Sequence, residues 1–134
     1  WLMFQASSLG PMLGQAQYFR DFAPGDNASA LERYPKESAR LIDVMERRLD
    51  HMEYLAGDYS IADIACFPWV RLYNSVGLGL QHHPRVNEWR SDIEDRPATE
   101  QGLEILEDEY IDFAESESAM TNLFGAPQYQ RHRS

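Results

Sequence analysis

Asp63 and Cys66 stand one turn apart in Tyr59-Ser-Ile-Ala-Asp-Ile-Ala-Cys-Phe-Pro-Trp-Val70. A carboxylate and a thiol on one apolar helix are the beginnings of a thiol nucleophile with an acid beside it. Neither has the company that chemistry needs. Ser60 reads as the N-cap and Asp63 as its reciprocal partner three residues on, so hydroxyl and carboxylate each take up an orphaned backbone N–H. Tyr59 and Ile64 complete this as a hydrophobic staple. Cys66 has no CxxC spacing and no nearby histidine, and its neighbours are apolar, which describes a small core residue. His51, His82, His83 and His132 show no ligand spacing, so no metal site is predicted. The acidic run from Glu104 to Glu117 lacks the pattern of a calcium loop and reads as a solvated face.

Two other features could do chemistry. Ser7-Ser-Leu-Gly-Pro-Met-Leu-Gly-Gln15 places Gly, Pro and Met in a broken apolar helix, a soft lining that suits one wall of a pocket and equally suits a packing kink. Arg33, beside Tyr34, could present a fixed cation to a carboxylate; the competing reading is an exposed arginine paired with Glu37 at i+4.

The elements that position these residues are helices. The first runs from Trp1 to about Phe22, with Gly10-Pro11 expected to kink or split it. Ala23-Pro-Gly-Asp-Asn27 makes a turn. A second helix over about 29 to 53 has Leu31, Tyr34, Leu41, Ile42, Met45, Leu49 and Met52 inward on a three-and-four spacing, and a charged outer face. The third, from Ile61 to Tyr73, has only Asp63 and Arg71 as clearly polar positions, which predicts burial on every side at the centre of the bundle. Gly77 and Gly79 end it. Pro84 opens a fourth, with Val86, Trp89 and Ile93 inward, and Arg96-Pro97 stops that one. A fifth from about Ala98 presents Leu103, Leu106 and Tyr110. Residues 119–134 read as an irregular tail. No period-two alternation is long enough for a sheet, so the fold class is all-α, a bundle of about five helices around a buried central one.

At 134 residues, 43% hydrophobic and 12% aromatic, the chain suits one folded domain. Its net charge of −10 argues against nucleic acid or an anionic membrane surface as partner. A single cysteine fits a reducing compartment, and no apolar run reaches the length of a membrane span. The opening on Trp1, already inside an apolar pattern and without a cap, predicts entry partway into a helix and hence a piece of a longer polypeptide.

Trp1-Leu-Met-Phe-Gln5, Leu9-Gly-Pro-Met-Leu-Gly-Gln15, Glu32-Arg-Tyr34, Tyr59-Ser-Ile-Ala-Asp-Ile-Ala65, Pro68-Trp-Val70 and Arg96-Pro-Ala98 together resemble the C-terminal helical domain of cytosolic glutathione transferases. The resemblance covers essentially the whole chain and is strongest to the bacterial branch related to the yeast prion-like homologue, sometimes called nu class, whose members reduce disulfides with glutathione. It implies a cytoplasmic homodimer that takes glutathione as co-substrate and uses no metal. It implies a thioredoxin-like domain, absent from these 134 residues, that activates the glutathione sulfur. In this chain it implies no catalytic residue, but a co-substrate wall containing Phe4, Leu9, Met12 and Tyr18, with Arg33 reaching a glutathione carboxylate. Pro35 departs from that pattern, because it disfavours helical geometry at Tyr34. The alternatives are a non-catalytic interaction module of the same fold and a stand-alone protein binding an apolar ligand at the Gly10-Pro11 cleft.

Overall fold

The computed structural model describes residues 1–75, 77–105 and 116–125. The described elements are all helical: α1 (Leu2–Phe4), a π-helical stretch (Gln5–Leu9), α2 (Gly10–Asp21), α3 (Ala28–Leu49), α4 (Ile61–Ser75), α5 (Pro84–Glu94), α6 (Pro97–Glu104) and α7 (Glu117–Phe124). Residues 1–100 form one compact unit, and residues from Gln101 onward belong to a second.

Gly10-Pro11 does not split the first helix. A π turn precedes it, with the Gly10 N–H bonded five residues back to the Gln5 carbonyl, and Pro11 falls in the first turn of α2. That widened turn accommodates the missing donor and the ring, which would otherwise kink the chain.

In α3 the buried positions are Ser38, Leu41, Ile42, Met45 and Leu49. The helix passes straight through Pro35, so Tyr34 keeps helical geometry against expectation. Its ring stacks on Phe19 of α2, with centroids 5.4 Å apart and planes at 9°. Leu31 and Met52, expected inward, are 44% and 43% exposed. Met52 is freed because the helix ends at Leu49, not near residue 53.

The larger correction concerns α4. Ala62, Asp63, Cys66, Phe67, Val70 and Tyr73 are buried, but Ile61 is 66% and Ile64 53% exposed, and Pro68 and Arg71 lie on the surface with them. An apolar helix was expected to be enclosed; here one stripe of it is bare. The staple weakens for the same reason. Ile64 faces outward, while the Tyr59 ring is engaged by Tyr54 at 5.3 Å and by the Arg96 guanidinium, 3.7 Å from its centroid.

Helix α5 opens on Pro84 and buries Val86, Trp89 and Ile93 as expected. Its first turn is capped from outside: the Glu46 carboxylate on α3 accepts the N–H groups of Arg85 (3.0 Å) and Val86 (2.9 Å). Negative charge at the positive end of a helix suits the macrodipole. The unit's core joins Leu9 and Leu13 to the buried residues of α3, α4 and α5. Each large side chain there contributes about 1.5–3 kcal/mol by leaving water.

Leu103 in α6 is 38% exposed; Leu106, Tyr110, most of the acidic run and residues 126–134 lie outside the described residues. The stretch expected to be an irregular tail is helical up to Phe124. Ser116 caps α7 by accepting the Ala119 N–H at 3.2 Å.

Candidate functional site

Asp63 has no exposed surface and accepts four hydrogen bonds. Its Oδ2 takes the Ser60 N–H at 3.0 Å and the Ser60 hydroxyl at 3.2 Å. Ser60 Oγ in turn accepts the Ala62 N–H at 3.2 Å, which closes the capping box. Asp63 Oδ1 takes the Leu55 N–H at 3.0 Å and the Trp89 indole N–H at 2.9 Å. A carboxylate saturated in this way has no lone pair left for proton transfer to a substrate. The Trp89 bond spans 26 residues, and no local pattern in the sequence could have announced it.

Cys66 is also fully buried. Burial foremost, and then the nearby Asp63 charge, push its thiol up to about 12. It stays protonated at neutral pH, so it is a packing group and not a nucleophile. His83, a buried histidine, holds Asp43 of α3 through Nε2 at 2.8 Å. Among the described residues, no group of three or more His, Cys, Asp or Glu is placed to hold a metal ion.

The expected co-substrate wall divides. Phe4 and Met12 are partly buried against the core, and Phe4 meets Trp1 edge-on at 5.1 Å. Tyr18 is half-buried and meets Phe19 edge-on at 5.2 Å. Leu9 has no exposed surface, so in this domain it packs from behind and presents nothing to a ligand.

Arg33 is exposed on α3. The pairing with Glu37 does not form: that carboxylate is held by Arg40 through two bonds of 2.7 and 2.8 Å, which lowers its pKa. Lys36 goes to Glu32 at 2.6 Å. Arg33 borders a groove of about 510 Å³ with these same side chains, and its guanidinium makes no hydrogen bond to a described residue.

The Gly-Pro segment meets α4 at a close approach. A methyl group on Gly10 would lie 3.0 and 3.1 Å from Cε2 and Cζ2 of Trp69 and 2.8 Å from Nε2 of Gln5. Glycine is required there by proximity, not by backbone angle.

Comparison with known proteins gives these helices a context. The family profile described as glutathione S-transferase, C-terminal domain, matches residues 11–97. The disulfide-bond oxidoreductase YfcG of Escherichia coli is 45% identical over 104 residues, covering 77% of this chain and 48% of the relative. A crystal structure of a glutathione transferase from Burkholderia graminis, with two glutathione molecules bound per subunit, is similar at 41% identity and a TM-score of 0.69, over 77% of this chain and 46% of that one. One from Pseudomonas putida, with one glutathione disulfide bound per subunit, is similar at 38% identity and a TM-score of 0.73, over 78% and 49%. The chain thus spans about half the length of each of these relatives.

Proposed function

Since the chain belongs to the glutathione S-transferase family, we propose that it is the helical half of an enzyme that reduces disulfides with glutathione or conjugates glutathione to electrophiles. The identity to the E. coli disulfide-bond oxidoreductase carries this reading. In it, a thioredoxin-like domain holds glutathione and activates its sulfur, and the thiolate attacks a disulfide or electrophile. The inertness of Cys66 and the saturation of Asp63 support a division of labour in which the helical half positions and the other half activates. Phe4, Met12 and Tyr18 contribute apolar wall, and Arg33, which makes no hydrogen bond to Glu37, is available to a glutathione carboxylate. Pairing of two subunits through α2 and α3 is supported by the exposed Leu31. Residence in the cytoplasm is supported by the lone, buried and unpaired cysteine.

The test joins this chain to the remaining half of YfcG and measures glutathione-dependent disulfide reduction. Turnover is expected from the fused protein and none from the 134-residue chain alone. Turnover by the isolated chain overturns the division of labour. A fused protein that neither turns over nor binds glutathione favours the non-catalytic module.

A further inference from the structure

Helical spacing leaves Arg33 one carboxylate to pair with. Residues three and four apart share a face of a helix, and around Arg33 those positions are Ser29, Ala30, Lys36 and Glu37. Glu37 in turn has two cations at these spacings, Arg33 before it and Arg40 after it. It goes to Arg40. The Glu37 carboxylate accepts Arg40 Nε at 2.8 Å and Nη2 at 2.7 Å, the two-pronged geometry that makes an arginine–carboxylate pair strong. Arg33 is close enough for its charge to act on Glu37, but it acts more weakly than Arg40 does.

The other carboxylate of this face is held in the same way. Glu32 has Lys36 at i+4 and no other cation three or four residues away, and Lys36 Nζ donates to it at 2.6 Å. The groove of about 510 Å³ lined by these side chains and Ser29 therefore carries three cations and two carboxylates. Both carboxylates are taken, and Arg33 is the cation left over. In a chain of net charge −10, a surplus cation beside a groove suits an anionic ligand.

We propose that Arg40 is a positioning residue: by occupying Glu37 it keeps Arg33 out of the i+4 pair and open to the carboxylate of a bound ligand. This rests on the reading of Arg33 as a glutathione contact and adds what decides its availability. Arg40 touches no ligand in this arrangement. Its removal hands Glu37 to Arg33, because no other cation lies three or four residues from that carboxylate. The resulting pair competes with the ligand for the guanidinium, so the loss falls on binding and leaves the chemical step alone.

The protein fused to the YfcG half is assayed for kcat and glutathione KM as Arg40→Gln, Lys36→Gln and the double variant Glu37→Gln/Arg40→Gln. The two single changes remove the same formal charge, and Lys36 is nearer to Arg33 along the helix. Only Arg40→Gln, however, releases a carboxylate on the face of Arg33; Glu32, released by Lys36→Gln, is its sequence neighbour and points about 100° away. Arg40→Gln is expected to raise the glutathione KM about twofold with kcat unchanged, Lys36→Gln to raise it less, and the double variant to restore it. An effect of Lys36→Gln as large as that of Arg40→Gln, no rise with Arg40→Gln, or no restoration in the double variant overturns the proposal. Without glutathione, a ¹³C titration of the Glu37 carboxyl follows the exchange itself. Its pKa should stay lowered in Arg40→Gln and rise when Arg33→Gln is added; no rise overturns the exchange. If Arg33→Gln alone leaves the glutathione KM unaltered, the glutathione role of Arg33 falls, while the carboxyl titration still judges the exchange.

Discussion

Asp63 shows how one side chain holds several elements. Replacing it with Ala would leave the Leu55, Ser60 and Trp89 donors without an acceptor, each costing about 1–3 kcal/mol when buried. Urea unfolding of Asp63→Ala should therefore show a loss of about 3–5 kcal/mol, with Asp63→Asn losing less because one oxygen survives. Cys66 gives a pH signature of known sign. Its proton is held more tightly in the folded state than in the unfolded one, so its contribution is fully present below the ordinary thiol pKa. It is lost as pH rises from about 9 toward 12. Stability should fall over that window, and Cys66→Ser should flatten the fall; an unchanged slope in the variant would refute the assignment. The capping box was legible because its partners are three residues apart. The Trp89 bond was not, because it exists only after α5 has docked.

Among the elements, the paired glycines of α2 make opposite predictions. Gly10→Ala pushes a methyl group into Trp69 and Gln5 and should cost about 1–3 kcal/mol through overpacking. Gly14→Ala meets the Trp69 ring only at 3.9 Å and should stabilise by about 0.5–1 kcal/mol, as alanine outperforms glycine in a helix. Thermal melts of the two variants check both signs. Helix positions were readable from apolar spacing, most cleanly in α5, where Val86, Trp89 and Ile93 are all buried. The π turn was not readable. Gly-Pro predicts a break wherever the preceding turn is an ordinary one, and nothing in the local pattern announces that the turn ahead of it is widened. The bare stripe of α4 was missed for a related reason: Ile61, Ile64 and Pro68 announce burial, and sequence does not say against what.

At the scale of the molecule, the first hundred residues are closed by side chains reaching across from other elements. Glu46 on α3 caps α5 from about forty positions away, and Asp63 on α4 ties back the Leu55 loop and α5. Arg48 on α3 also holds the Leu55 carbonyl, at 2.9 Å. Glu46→Ala should cost about 1–2 kcal/mol, whereas Glu46→Gln, which keeps the acceptors, should cost less; denaturant midpoints separate the two. Helix ends are ordinarily where a protein frays first. Here the opening turn of α5 cannot loosen without breaking its bonds to Glu46 on α3, nor can Asp63 leave the start of α4 without freeing Trp89. The Arg85 and Val86 amide protons should then exchange more slowly than those of an uncapped start, and Glu46→Ala should speed them by about five- to thirtyfold, the factor that 1–2 kcal/mol represents. Two of this protein's helix beginnings would be guarded by side chains borrowed from elsewhere in the chain.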